Sequence, residues 1–267
     1  MKRVLTKWDS MAISTSIVIG IGIFRVPSDI ARYLPDGGLV ILLAWFVGAL
    51  ISGVGALCYA ELSARFPENG GDYVFLREGY GKLVAFLYAW TELLIIRTGS
   101  IAVSSFLFAD YACGFFSLPK TATKLLAIGI VIILSILNFL GLQHIRKLQN
   151  VLTLIKVVAL LLLILTGFLS GKGDLTRITA IPAQNLDWSF LSAFALALVP
   201  ILWTYGGWQE NTFAGGETSD AARSLPFALI GTVITVGITY ILINALYLYM
   251  IPTEQMIASP LDRKSVV

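Results

Sequence analysis

Charged side chains are scarce in this chain. Lys, Arg, Asp and Glu make up 13% of its 267 residues, whereas soluble domains carry about 25%. Hydrophobic residues reach 57%, and the mean hydropathy is +0.83. The scarcity of charge excludes an ordinary soluble domain and predicts a multi-pass protein embedded in the lipid bilayer of the cell membrane.

Metal-binding and redox-active residues are equally sparse. His144 is the only histidine, and one histidine cannot build a typical zinc site; it falls in a predicted loop, where a solvated side chain is expected. Cys58 and Cys113 fall in apolar stretches, so we interpret them as buried small hydrophobic residues rather than as a disulfide or a metal pair. No metal site and no cofactor are therefore predicted.

Several function classes lack their signatures. The net charge of +3 comes from scattered loop residues, and without a run of Lys or Arg, nucleic acid is not an expected partner. The chain has no His-Glu-x-x-His motif, no paired intramembrane Asp and no Ser-Lys dyad, so it is not expected to be an enzyme. A seven-helix receptor or retinal protein is less favoured, because segment 225–250 has no lysine for a Schiff base.

Long apolar runs are what the chain has instead. At about 20 residues per span, seven membrane-spanning segments are predicted, joined by linkers with glycine and proline. The fold class is therefore all-α and integral to the membrane. The predicted segments are 9–34, 38–65, 81–112, 122–141, 148–170, 188–215 and 225–250.

Loop lysines and arginines favour a cytoplasmic N-terminus, because the loops then placed inside carry more of them. The odd number of segments places the other end outside. The inside residues are Lys2, Arg3, Lys7, Arg65, Arg77, Lys82, Arg146, Lys147 and Arg223, and the outside residues are Arg25, Arg32, Lys120, Lys124, Lys172 and Arg177.

Two of the apolar segments are interrupted by glycines. Residues 19–24 read Ile-Gly-Ile-Gly-Ile-Phe, and residues 203–208 read Trp-Thr-Tyr-Gly-Gly-Trp. A broken helix frees backbone polar groups, which is tolerated at membrane depth only inside protein or beside a cavity. Broken helices in corresponding positions indicate the binding site of an inverted-repeat transporter. The alternative is that these glycines only permit close helix packing.

The two breaks offer opposite chemistry. Amides released at Gly20 and Gly22 lead into a half-helix predicted from about Phe24, and a helix N-terminus attracts a carboxylate. The half-helix ending near Thr204 offers carbonyl groups that suit an ammonium group or a cation. Together the breaks predict a receptor for a zwitterion.

These motifs resemble a known family. Residues 20–24 are similar to the Gly-Ser-Gly-Ile-Phe motif of amino acid–polyamine–organocation permeases, and residues 203–208 to the aromatic-small-Tyr-Gly-Gly-Trp of their L-type amino acid transporter branch. The likeness continues through residues 61–73 and 217–226. It implies a leucine-transporter-type fold with five-helix inverted repeats, of which this chain holds the first repeat and two helices of the second. The implied function is secondary active amino acid transport by alternating access.

The resemblance also implies how the substrate is held. Amides around Gly20, Ile21 and Gly22 would bind its carboxylate. Its amino group would be bound by carbonyl groups near Val18, Trp203 and Thr204. Ile21 stands where the family commonly has Ser, so a hydroxyl donor is lost and the backbone binds alone.

Three residues of the second motif complete the predicted site. Trp203 would be an aromatic gate over the substrate, Tyr205 belongs to the same substrate-binding motif, and Gly206 would leave room for the substrate side chain. The Gly206-Gly207 pair and the absence of an acidic residue near the breaks favour neutral over cationic amino acids.

Lys156 lies inside the fifth segment. A lysine costs roughly 2.5 to 3.5 kcal/mol at the centre of a membrane helix, so it needs a partner or a function. One interpretation is that it extends to the cytoplasmic interface beside Arg146 and Lys147. The other, implied by proton-coupled relatives, is that its amine faces the first helix, replaces a sodium ion and releases a proton. The proton gradient would then supply the energy.

Four further polar residues carry weaker expectations. Glu92 and Arg97 are five residues apart, on different sides of an α-helix, so they are not expected to pair; each would brace a neighbouring helix or contact substrate. Glu210 and Asn211 follow the second break and are candidates for a gate or an ion contact.

Two ranges describe the predicted domain organisation. Residues 1–261 form the polytopic permease region, and residues 262–267 are interpreted as a non-native tail because the composition changes abruptly there. Because a complete pair of repeats has ten helices, the alternative function is a truncated, non-transporting fragment or an assembly subunit.

Overall fold

A computed structural model describes residues 5–35, 37–139, 142–180 and 187–258. These ranges are helical, and their one pairing of extended backbone is an isolated parallel bridge between Leu5 and Thr218. The predicted tail at 262–267, together with Lys2 and Arg3, lies outside the described residues.

Twelve α-helices, numbered in chain order, are found in the described ranges, together with a π-helical turn and a 3-10 helix. They are α1 (Lys7–Val18), α2 (Gly22–Tyr33), α3 (Gly38–Arg65), α4 (Asp72–Tyr80), α5 (Lys82–Thr91), the π-helical turn Glu92–Arg97, α6 (Thr98–Phe115), α7 (Thr121–Phe139), α8 (Leu142–Leu169), α9 (Leu175–Thr179), α10 (Trp188–Tyr205), the 3-10 helix Trp208–Glu217, α11 (Ala221–Met250) and α12 (Thr253–Ile257).

The membrane-spanning candidates agree with the apolar pattern. α1 and α2 meet at an angle of 48° and make one broken span if taken together, and α7 contains a shorter apolar helix, Thr121–Leu137. Each of the seven predicted segments therefore corresponds to an apolar helix or helix pair. The five helices long and apolar enough to cross a membrane are Gly38–Arg65, Lys82–Phe115, Val151–Leu169, Trp188–Glu217 and Ala221–Met250.

The chain divides into two compact units. The first contains Met1–Phe75 and Val158–Val267. In it α3 and α11 lie side by side, α1 packs on α11, and α2 and α3 contact α10. Its core is centred on Trp45, Tyr205 and Tyr240, which are almost fully buried and pack in edge-to-face or tilted pairs. Both broken helices belong to this unit.

The start of α1 is fixed by local hydrogen bonds. The Thr6 hydroxyl accepts a hydrogen bond from the Asp9 amide, and the Asp9 carboxylate accepts one from the Thr6 amide. This reciprocal cap satisfies two amides that a helix start otherwise leaves unpaired. Beside it, the Leu5 amide donates to the Glu217 carbonyl at 3.1 Å, and the Ser219 amide donates to Leu5 at 2.9 Å. The first helix is thereby tied to the segment between the 3-10 helix and α11.

One prediction about the second unit, Leu76–Val157, is wrong: Glu92 and Arg97 form a pair. Arg97 Nε lies 2.7 Å from Glu92 Oε1, although the two residues were not expected to pair. An α-helix places residues five apart about 140° from each other around its axis. The segment Glu92–Arg97 is π-helical, and its i to i+5 bonding brings such residues to one side.

Two smaller expectations are also wrong. His144 lies within α8 rather than in a loop, because that helix begins before the apolar run that predicted it. Both cysteines are free thiols, but only Cys113 is buried; Cys58 is exposed, because α3 turns it, like Leu57 and Val54, away from the core of the first unit.

Candidate functional site

A tight turn produces the first break. Ile19 has φ −71° and ψ 83°, and the Gly20 amide donates to the Val18 carbonyl at 2.7 Å, as in an inverse γ-turn. The chain bends here and the helix resumes at Gly22, two residues earlier than the predicted start at Phe24.

The N-terminus of α2 presents unpaired donors. No side chain caps this helix. Along the chain from Ile21, the first backbone amide with a hydrogen-bond partner is that of Phe24, which donates to the Ile21 carbonyl at 3.1 Å. Within the described part of the chain, the amides of Ile21, Gly22 and Ile23 have no hydrogen-bond partner. Unpaired amides and the positive end of the helix dipole together favour an anionic group at this position.

Glycine conformation produces the second break. α10 ends at Tyr205, Gly206 is extended, and Gly207 has φ +106°, a value that side-chain-bearing residues rarely adopt. A Cβ atom on Gly207 would lie 2.9 Å from Ile17 Cγ2. Position 207 therefore needs glycine for its backbone conformation and for its close approach to α1.

The two breaks touch each other at Gly22. A Cβ atom at this position would lie 3.1 Å from both Oγ1 and Cγ2 of Thr204, and 3.4 Å from the Trp203 ring. A Cβ atom on Gly20 would meet only the Val18 carbonyl oxygen, at 3.8 Å. The first break is therefore closed against α10 on the Gly22 side and open on the Gly20 side.

Tyr240 of α11 links the same two helices. Its hydroxyl lies 2.8 Å from the Val18 carbonyl oxygen and 3.3 Å from the Thr204 carbonyl oxygen. These are two of the carbonyl groups expected to bind an amino group. The sequence reasoning missed Tyr240; the available signal was a tyrosine in the middle of an apolar span, where its hydroxyl needs a partner.

The side chains of the second motif point in different directions. Trp203 is 62% exposed and its ring lies beside Gly22. Thr204 is buried, and its hydroxyl donates to the Pro200 carbonyl at 2.8 Å. The Tyr205 side chain lies in the core, where its hydroxyl donates to the Trp45 carbonyl at 3.2 Å. Only the backbone of Tyr205 is therefore at the break.

The remaining predicted residues lie away from the contact between the breaks. Lys156 is half-buried, inside the apolar run Val151–Leu169, and belongs to the second unit; its predicted approach to the first helix stays a prediction. Asn211 is 3% exposed on the 3-10 helix, with its amide nitrogen unpartnered in the described residues. Glu210, beside it, is half-buried.

Comparison with known proteins gives a consistent picture. A family described as amino acid permease matches residues 5–263. The human b(0,+)-type amino acid transporter 1 is 29% identical over 260 residues, 93% of this chain and 52% of that protein. The human cystine/glutamate transporter is 30% identical over 264 residues, 97% of this chain and 52% of its own length. The mouse large neutral amino acids transporter small subunit 2 is 30% identical over 248 residues, which cover 91% of this chain and 46% of that protein.

The chain spans about half the length of the curated relatives it matches. These relatives are named as transporters, which confirms that the chain is not an enzyme. The match over nearly the whole chain also confirms the resemblance noted from the two glycine motifs. With its apolar spans, the chain is a multi-pass membrane protein. It belongs to the amino acid permease family, within the amino acid–polyamine–organocation superfamily and similar to its L-type branch.

Proposed function

We propose that this chain acts in secondary active amino acid transport, as proton-coupled uptake of neutral amino acids by alternating access. One observation carries the proposal: the two broken helices meet at Gly22, with unpartnered amides on one side and backbone carbonyls on the other. Donors and acceptors so arranged match the carboxylate and the ammonium group of an amino acid. One relative is named for large neutral amino acids, which supports that substrate class.

The proposed contacts follow from this geometry. The unpartnered amides of Ile21 and Gly22 would bind the carboxylate, and the carbonyl of Thr204 would bind the amino group. The Gly20 amide already donates to the Val18 carbonyl at 2.7 Å, so it would contribute less than the sequence predicted. The Tyr240 hydroxyl lies within hydrogen-bond distance of both the Val18 and the Thr204 carbonyl. The Val18 carbonyl also accepts from the Gly20 amide, so it would contribute less. We place Trp203 and Gly206 beside the substrate side chain, and Tyr205 contributes backbone alone.

The proposed architecture is the leucine-transporter-type inverted repeat with a cytoplasmic N-terminus. The bend between α1 and α2 and the break after α10 support it, because the broken helices of such a pair occupy equivalent positions in the two repeats.

The test is to reconstitute the chain in liposomes and measure uptake of labelled leucine with and without an inward proton gradient. A parallel assay measures leucine binding to the chain in nanodiscs. The proposal expects saturable binding and gradient-driven uptake. Absence of leucine binding would contradict the site, and binding without uptake would contradict transport by this chain alone.

Lys156 is the proposed proton-coupling residue. Replacing Lys156 with Ala should abolish gradient-driven uptake and leave leucine binding intact, because the amine would carry the proton and not the substrate. Lys124, an exposed lysine on α7, gives the matched control, Lys124→Ala. An unchanged pH dependence of uptake in Lys156→Ala would contradict the role.

A further inference from the structure

Arg25 is an unusual residue to find beside the first break. It lies three residues after Gly22, near the start of α2, and is half-buried within the broken span. In the ranges that the structure describes, no carboxylate forms an ion pair with its side chain. By contrast Arg32, two turns further along α2, lies 3.4 Å from the Asp29 carboxylate. An arginine within a span is normally paired or functional.

The surroundings of Arg25 add to its positive charge. The first turn of α2 has no acidic residue, and a helix N-terminus carries roughly half a positive elementary charge. A cation in this position is unfavourable for the helix, whereas an anion would be stabilised. The start of α2, beside the unpartnered amides of Ile21 and Gly22, therefore carries positive charge from both the helix end and Arg25.

Helix geometry directs Arg25 toward the break. Residues three apart in an α-helix differ by about 300° around the axis, so Arg25 lies on nearly the same side as Gly22. Side chains in a helix also lean toward its N-terminus. Arg25 therefore belongs to the face of α2 that contains Gly22, and Gly22 lies against Thr204.

We propose that Arg25 determines the charge specificity of the substrate site by repelling amino acids with cationic side chains. This inference rests on the proposed function, because it concerns the side chain of an amino acid held between the breaks. Two like charges about 10 Å apart, at an effective dielectric constant of about 20, disfavour binding by about tenfold. A site can gain specificity through such repulsion as well as through favourable contacts.

The experiment is competition binding in nanodiscs, with labelled leucine displaced by unlabelled leucine, lysine or glutamate. The variants are Arg25→Gln, which removes the charge, and Arg25→Lys, which keeps it. Arg32→Gln is the matched control, because it removes a charge from the same helix beyond the first turn. Arg25→Gln should bind lysine about tenfold more tightly relative to leucine, whereas Arg25→Lys and Arg32→Gln should keep the wild-type ratio.

The outcomes separate this inference from the proposed function. An unchanged lysine-to-leucine ratio in Arg25→Gln, with leucine binding intact, would overturn the role of Arg25 alone. An equal change of the lysine-to-leucine ratio in Arg32→Gln would also overturn it, because the ratio would then depend on the overall charge of α2 and not on Arg25. Wild-type preference for glutamate, lost in Arg25→Gln, would support the role of Arg25 and contradict the neutral substrate. Absence of leucine binding to the wild-type chain would overturn both proposals.

Discussion

The two breaks interrupt their helices by different means. At the first, both flanking segments are α-helical, and an inverse γ-turn bends the chain with ordinary backbone angles. At the second, an α-helix gives way to a 3-10 helix through Gly207 in a left-handed conformation. The first break therefore depends on hydrogen bonding and open space, whereas the second depends on a conformation that glycine alone adopts easily.

This difference divides the chemistry of the site. The first break leaves amides unpaired at the start of α2, so it supplies donors. The second contributes the Thr204 carbonyl and the surface against which Gly22 packs. Tyr240 is the side chain whose hydroxyl reaches the backbone of both. Substitutions at each break should therefore fail in different ways.

The largest effect is expected for Gly207→Ala. Its φ of +106° is strained for alanine, and the new Cβ atom would press on Ile17, so we expect a loss of stability of about 2–4 kcal/mol. Thermal unfolding in detergent measures it. Gly171 has φ +62° with no atom near its Cβ position, so Gly171→Ala shows the cost of a left-handed alanine that makes no new contact. Equal losses in the two variants would contradict the contact with α1.

Gly22→Ala should separate the two breaks. The added methyl group would lie 3.1 Å from Thr204, and overpacking of this kind costs about 1–3 kcal/mol. We expect leucine binding to weaken by tenfold or more in the nanodisc assay, since 1.4 kcal/mol corresponds to about a factor of ten. Gly53→Ala, at a position with open space on α3, should bind as the wild type does. Normal binding by Gly22→Ala would show that the contact is not part of the site.

Tyr240→Phe should weaken the connection between the breaks without adding bulk. Removing the hydroxyl takes away a donor that lies 2.8 Å from the Val18 carbonyl and 3.3 Å from the Thr204 carbonyl, which costs about 1–2 kcal/mol of stability. Tyr205→Phe is the control, because the hydroxyl of Tyr205 donates to Trp45 instead. If leucine binding falls in Tyr240→Phe but not in Tyr205→Phe, the link is functional. If leucine binding changes equally in both variants, Tyr240 contributes only to core packing and not to the site.

The smallest effect is expected for Thr204→Val. The Thr204 hydroxyl donates to Pro200 within its own helix, and the proposed substrate contact is the backbone carbonyl. Binding should change less than about threefold, and stability by about 1 kcal/mol or less. Thr239→Val removes the same kind of bond, to Thr235 in α11, and gives the baseline. A loss of binding well beyond that baseline would mean that the hydroxyl itself contacts substrate.

The sequence predicted the features that depend on composition and spacing. Apolar run lengths located the spans, and paired glycines located both breaks, because either signal is local. Tyr240 was missed because its partners, Val18 and Thr204, lie far away along the chain, and only tertiary packing brings them together. The sequence did not predict the buried position of the Tyr205 side chain for the same reason, since its partner Trp45 is also far away along the chain.

The pairing of Glu92 with Arg97 was missed for a different reason. Periodicity arguments assume 3.6 residues per turn, and no residue pattern in 92–97 predicts a change to π-helical bonding. Local strain or an inserted residue within a helix is therefore invisible to a pattern that describes the average helix.

The π-helical turn has a consequence for how this helix can vary. A π turn amounts to one residue inserted into an α-helix, and one residue corresponds to a rotation of about 100°. In α6, which follows the turn, Ser105, Ala109 and Cys113 form the buried stripe. If this turn took up α-helical bonding without losing a residue, the helix beyond it would rotate by about 100° and bring Ser104, Phe108 and Ala112 to that stripe. The π-helical bonding of this short turn thus sets the phase of the entire following helix, much as a stutter resets a coiled coil.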